Sequence, residues 1–439
     1  MKRYLLILIV VLLTGGIIFL TRSCRGERAS IVEEAEEEIY SLNKVLYNEF
    51  SESPETRRME QYIERWMARY NLRGATLAIM KDEKLLYCRG FGWADQERGE
   101  KAEAGTIFRM ASASKLITAI GIMKLCDEGA LTLDSKVFGE EGILSQFTEF
   151  RDKRAKQITV RHLLEHTSGF SRAKGDPMFR IADIMKWENM ATTPSTDELI
   201  AYQLRMRLRC QPGGASQYSN IGYLVLSRII EQVAGVSYEE YMQKHVLHPA
   251  GCYDMHIAAN YYEEREPNEA KYYGHDPGEL IESYDGTGTM RPREYGGNNT
   301  TGLQGAGAWV ASSAELLRLV ASIDGKNGVK DILSPESVAI LNGRVEDGGF
   351  GWAFIYSEGR TLIRTGTMSG TCAYIEHRDD DFSFVLLTNT SHYRGSPFTR
   401  SIGRTIRTAI DRVSEWPTDR DLFTGVPDTE NSSEVEIVQ

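Results

Sequence analysis

The sequence predicts an α+β fold in which an antiparallel sheet is flanked by helices and interrupted by an inserted helical lobe. Three observations lead there. Strand-like segments gather in two separate regions, near residues 75–92 and 352–388. The long stretch between them is mostly helical in texture, and an amphipathic helix lies outside each strand region. One sheet built from both chain ends, covered by terminal helices, buries all of these apolar faces. With 439 residues, 41% of them hydrophobic and 26% charged, the chain has material for a sizeable core.

The elements follow in chain order. Lys2 and Arg3 precede an apolar run from Tyr4 to Leu20, broken only by Thr14, Gly15 and Gly16. Residues 1–25 therefore read as a signal peptide or an N-terminal membrane anchor. Both readings place the rest of the chain outside the cytoplasm, in the cell envelope, as a membrane-anchored or a periplasmic or secreted protein. Cys24 is a candidate for lipidation, although Thr21-Arg22-Ser23 before it matches that pattern poorly. Residues 26–54, rich in Glu with periodic Ile31, Ile39, Leu42 and Leu46, predict a stalk or linker helix that Pro54 ends.

A helix over 55–70 follows, with Met59, Ile63, Trp66 and Met67 at helical spacing. Strands at 75–80 and 85–92 around Lys81-Asp-Glu-Lys84 form a hairpin. Helices are expected over 116–126, 160–166, 221–233 and 313–323, with a long polar loop over 262–295. A four-stranded meander occupies 352–356, 361–365, 371–377 and 382–388. A helix over 401–416 and a polar, acidic tail over 416–439 close the chain. The main domain thus spans 55–415, with a sheet lobe (55–115 and 340–415) and a helical lobe (116–339). The cleft between the lobes is the natural place for a site.

A net charge of −11 argues against nucleic acid as a partner. The six cysteines show no paired close spacing, so free thiols are expected rather than a disulfide framework or a zinc ribbon.

Chemistry enters with Ser-x-x-Lys. It occurs at Ser41, Ser112 and Ser171, but only Ser112 stands where a loop becomes a helix, with Lys115 one turn on. A serine hydroxyl needs a base to take its proton, and the first helical turn has unpaired N–H groups to hold an oxyanion. Tyr218-Ser-Asn220 follows Pro212-Gly-Gly and precedes an apolar helix. Its phenol can shuttle a proton and its amide can hold a substrate carbonyl. Arg364-Thr365-Gly366-Thr367 ends a strand, where a cation followed by small residues lets a carbonyl or carboxylate approach.

In this order the three motifs resemble the class C β-lactamase and penicillin-binding-protein-like serine hydrolases. The similarity spans residues 55–415. It includes Phe108-Arg-Met-Ala-Ser-Ala-Ser-Lys115, Leu163-Leu-Glu-His-Thr-Ser-Gly-Phe170, Tyr218-Ser-Asn-Ile-Gly-Tyr223 and Gly305-Ala-Gly-Ala-Trp-Val310. The resemblance implies a β-lactamase/transpeptidase-like fold and no cofactor. It implies Ser112 as acylated nucleophile, Lys115 and Tyr218 as general base and acid, and Asn220 as a substrate contact. The oxyanion hole would be the backbone N–H groups of Ser112 and Thr367. One departure stands out, since Arg364 replaces the usual Lys or His. Arginine does not release a proton, which speaks against efficient β-lactam hydrolysis. Its fork does suit a carboxylate on a peptide or small-molecule substrate.

Two other readings compete. A non-catalytic binding or signalling module could keep the fold. His162-Leu-Leu-Glu-His166 also fits a zinc-peptidase pattern, although its short helix leaves no evident third ligand. The Gly-x-Ser-x-Gly elbow is absent.

Overall fold

The computed structural model describes residues 41–276 and 278–424. Its main sheet has seven antiparallel strands: β1 Gly74–Lys81, β2 Lys84–Asp95, β3 Glu100–Lys101, β4 Phe354–Tyr356, β5 Thr361–Met368, β6 Thr371–Arg378 and β7 Ser383–Thr388. The spatial order is β3-β2-β1-β7-β6-β5-β4. The two chain ends meet where β1 pairs with β7, from Ala75 opposite Thr388 to Met80 opposite Ser383. That junction makes one sheet from segments about 300 residues apart, as the strand pattern predicts.

Both faces of the sheet are covered, and alternation decides which residue goes where. In β1, Ala75, Leu77 and Ile79 join Met59, Ile63, Trp66, Phe398, Ile402 and Ile406 on the outer face. Those partners come from the terminal helices Arg57–Arg69 and Ser396–Ile410. The Trp66 and Phe398 rings stack across them at 5.9 Å. Ala78 and Met80 point the other way, into the larger core shared with the helical lobe. There lie Ser114–Asp127, buried along most of its length, and Asn220–Ala234, capped at its start by the Ser219 hydroxyl and at its end by the left-handed Gly235.

Two boundaries differ from the sequence expectation. Residues 41–54 are not a free stalk. Leu42 and Leu46 are buried in the core. Asn48 and Ser51 bond to the β2 main chain at Gly90 and Cys88. A short helix and a 3₁₀ turn, each of four residues, replace the long helix, because the apolar residues here face a core rather than solvent. At the other end, residues 416–424 are not a loose tail. Leu422 is 2% exposed, and Arg420 donates to the carbonyls of Phe50 and Leu86. The leader or anchor, Cys24, and the tail beyond 424 lie outside the described residues.

The loop over 262–295 also carries structure, a small hairpin of Leu280–Glu282 with Met290–Pro292. Arg109 pins this excursion to the strand just before Ser112. Its guanidinium donates to the carbonyls of Ala259 and Glu294 and lies 4.4 Å from the Tyr272 ring centroid. The five cysteines among the described residues are free thiols.

Candidate active site

Ser112 sits in the 3₁₀ turn Ala111–Ala113, which leads directly into the helix Ser114–Asp127. The strand before it is fastened to Trp309–Ala311, and Met110 N–H donates to the Trp309 carbonyl at 3.0 Å. Ala111 has φ 47°, a left-handed conformation that a non-glycine residue adopts only where its surroundings impose it. The Ser112 turn is therefore held, not merely permitted. The other two Ser-x-x-Lys serines are used structurally. Ser41 Oγ donates to Asp254, and Ser171 Oγ accepts from Ala173 N–H.

Around Ser112 Oγ the expected partners converge. The Tyr218 hydroxyl donates to it at 2.7 Å, and Lys115 Nζ lies at 3.4 Å. Lys115 is fully buried. Its remaining contacts are Asn220 Oδ1, at 2.8 Å, and the Ala306 carbonyl. Burial pulls the Lys115 ammonium below its ordinary pKa, and Arg364 adds to that while Tyr218 opposes it. For Tyr218, which is 39% exposed, desolvation of the hydroxyl beside Ser112 works against ionisation. The Lys115 and Arg364 charges outweigh it, and the phenol falls to about 8.

Three expectations change here. Asn220 is 6% exposed, and both ends of its amide are occupied: Oδ1 accepts from Lys115 while Nδ2 donates to Asp176 at 2.8 Å. These bonds tie the amide to Lys115 on one side and to Asp176 on the other.

Arg364 is 3% exposed and donates through Nε (2.8 Å) and Nη2 to the main-chain carbonyl of Ser112. Its fork grips the Ser112 turn from behind, so it does not stand open to a carboxylate. The strand pleat explains the third change. Arg364 and Gly366 face the Ser112 turn, whereas Thr365 and Thr367 face the terminal helices, where Thr367 Oγ1 meets Thr399 Oγ1 at 2.7 Å. Only their main chain borders the site. β4 covers β5 no further than Ile363, which leaves the Arg364–Met368 edge without a partner strand on that side.

Gly366 is required for this approach. A Cβ there would stand 1.9 Å from the Met110 carbonyl oxygen and 3.0 Å from Ala113 N. Gly366→Ala should push β5 off the nucleophile turn, destabilising the fold by about 1–3 kcal/mol. Turnover should fall more than stability, measured by thermal unfolding beside steady-state kinetics.

Residues that the motifs did not reveal complete the arrangement. Asp176, 5% exposed, accepts from Met178 N–H as well as from Asn220. It lies in a polar loop outside the three motifs that suggested the family, and its own sequence cue is an Asp-Pro pair opening a short 3₁₀ turn. The His166 ring packs against Tyr218, centroids 4.6 Å apart, and its Nδ1 accepts from Ser219 N–H. Burial, then the charges of Lys115 and Arg364, push the imidazole down to about 3, so it is neutral.

The zinc reading loses its geometry here. The helix ends at Leu164, His166 has a left-handed φ of 61°, and His162 Nδ1 accepts from Thr159 N–H in a capping box. The two histidines thus do not share one helical face.

The profile of the beta-lactamase family matches residues 59–402. Penicillin-binding protein 4* of Bacillus subtilis is 27% identical over 327 residues, covering 71% of this chain and 67% of that protein. A probable fimbrial assembly protein FimD of Dichelobacter nodosus is 32% identical over 174 residues, covering 38% of this chain and 40% of its own length. Among solved structures, the D-amino acid amidase of Ochrobactrum anthropi aligns with TM-score 0.63 at 19% identity, covering 82% of this chain and 99% of that one. The hydrolase EstCE1 aligns with TM-score 0.62 at 22% identity, covering 81% and 98%. The octameric penicillin-binding protein homologue of Pyrococcus abyssi gives 0.61 at 24%, covering 82% and 79%. These structures share the β-lactamase/transpeptidase-like α+β architecture. With its profile match across most of its length and a Ser-Lys-Tyr cluster at the lobe junction, the chain belongs to the beta-lactamase family of serine hydrolases.

Proposed function

We propose that the protein hydrolyses an amide or ester through a covalent acyl-enzyme on Ser112, with Tyr218 as the general base and Lys115 retained as a cation. The observation that carries this reading is the partner set of Lys115. Its three acceptors, Ser112 Oγ, Asn220 Oδ1 and the Ala306 carbonyl, match the three N–H bonds of an ammonium. A buried ammonium with every donor used can stay charged, and its charge in turn favours the Tyr218 phenolate.

The steps then balance. Tyr218 Oη takes the proton of Ser112 Oγ as that oxygen bonds to the substrate carbonyl carbon. The resulting oxyanion rests on the backbone N–H groups of Ser112 and Thr367. Collapse breaks the bond to the amine or alcohol, which leaves with the proton from Tyr218. Water, deprotonated by the same phenolate, then attacks the Ser112 ester; as the acyl–Oγ bond breaks, Ser112 Oγ takes the proton back from Tyr218, and the acid product leaves and gives its own proton to solvent. Arg364 and Asn220 act as positioning residues, one on the nucleophile turn and one on the lysine. We assign the protein to the cell envelope on the basis of its apolar N-terminal run, with a small molecule or peptide as substrate.

The test is intact-mass analysis with a fluorophosphonate and with a penicillin. Wild-type protein should gain one adduct and Ser112→Ala none. A folded protein that no acyl or phosphonyl probe labels would favour a non-catalytic role instead. The pH profile provides a second check. Activity requires the phenolate, so kcat/KM should rise with pH and level off above a midpoint near the Tyr218 value of about 8. Arg364 lowers that value, so Arg364→Gln should move the midpoint to higher pH. An unmoved midpoint would separate Arg364 from the titration.

A further inference from the structure

We infer that the loop 171–180 beside Tyr218 recognises an anionic group on the substrate, such as a carboxylate, while the exposed Phe179 and Trp187 rings take an attached apolar body. This rests on Ser112 being the acylated nucleophile. Arg364 does not serve as that receptor, because its guanidinium is spent on the Ser112 carbonyl. Exposed cations stand instead on the loop 171–180, which reaches the Tyr218 main chain through Arg172.

The loop reads Ser171-Arg-Ala-Lys-Gly-Asp-Pro-Met-Phe-Arg180, with Arg172, Lys174 and Arg180 all exposed. Its one carboxylate, Asp176, is turned inward and consumed by Met178 N–H and Asn220. The solvent face of the loop is therefore purely cationic, on a chain of net charge −11. Asp176 also fixes where that charge sits. Through Asn220 it ties the middle of the loop to Lys115, so the rim is held in register with the nucleophile. Arg172 reaches back toward the main chain of the general base, with Nη1 3.5 Å from the Tyr218 carbonyl oxygen.

A recess of about 510 Å³ opens beside it, lined by Ala173, Lys174, Gly175, Arg180 and Trp187. That volume suits a small ligand or a substrate side chain. Lys174 Nζ and the Arg180 guanidinium each lie 5.5 Å from the Trp187 ring centroid. Trp187 is 49% exposed and Phe179 41%, two large rings open to water on the same rim. Arg180 is partly engaged by Asp183, whereas Arg172 and Lys174 contact a carbonyl and a ring. Those two are the anion contacts. Cations flanking an aromatic wall recognise a carboxylate on an apolar body better than a neutral or basic group.

The experiment compares matched ester substrates that differ only in a carboxylate or a carboxamide, placed in turn on the acyl part and on the leaving group. Wild-type kcat/KM should favour the anionic member of one series by about five-fold, mostly through KM, as expected for solvent-exposed charges. The preference should shrink at about 0.5 M salt. It should vanish in the Arg172→Gln/Lys174→Gln double variant and reverse in favour of the carboxamide in Arg172→Glu/Lys174→Glu. Equal kcat/KM for both members in wild type, or a preference that survives in the double variant, overturns the assignment. Fluorophosphonate labelling separates the two levels. Labelling without anion preference sinks only the rim, whereas failure to label Ser112 sinks the acyl-enzyme beneath it.

Discussion

Ser112→Ala is expected to lower kcat for any ester or amide substrate by at least about 10⁴-fold, since no other group at the site can carry the acyl chain. The structure makes this a clean substitution. Ser112 Oγ contacts only the Tyr218 hydroxyl and Lys115 Nζ, and Lys115 keeps its bonds to Asn220 and Ala306 when that oxygen is removed. The turn itself is held through main-chain atoms, by Arg364 on the Ser112 carbonyl and Trp309 on Met110. Thermal unfolding should therefore be unchanged or slightly raised, as is common when a catalytic group is deleted. Turnover within about ten-fold of wild type in the folded variant would remove Ser112 from the chemistry.

Lys115→Met should cost about 10³-fold or more in kcat/KM and should also change the shape of the pH profile. The methionine nearly fills the same volume but removes the buried charge. Lys115 is the largest of the influences that pull the Tyr218 phenol down to about 8 against the desolvation of its hydroxyl. Without it the phenolate forms only at higher pH, and the rising limb moves alkaline. Asn220 Oδ1 and the Ala306 carbonyl also lose their donor, which should destabilise the fold by about 1–3 kcal/mol. The informative comparison is with Tyr218→Phe, which should abolish the limb near pH 8 altogether. If Tyr218→Phe kept the limb while Lys115→Met abolished it, lysine rather than tyrosine would be the titrating base.

Ser112 and Lys115 could be found from the chain alone because their relation is local. Residues three apart across a helix start share a face whatever packs around them, as the 3.4 Å contact reflects. The same holds for the hairpin Gly74–Lys81 with Lys84–Asp95, two apolar runs around a short polar turn, and for the terminal helices, whose helical spacing marks the face they bury. The order of the three motifs was enough to suggest the family.

What escaped are roles that depend on which atoms meet across long separations. Arg364 and Ser112 are 252 residues apart, Asn220 and Lys115 105, and Asp176 and Asn220 44. A sequence can nominate an arginine or an amide for a substrate, but only packing shows that a main-chain carbonyl or a lysine has already claimed it. The ends of the domain teach the same lesson. The Glu-rich segment up to residue 54 and the residues after 416 look solvated by composition, yet Leu46 and Leu422 are 3% and 2% exposed. A few apolar side chains outweigh many polar neighbours once a core surface lies within reach, and the tertiary fold decides whether one does.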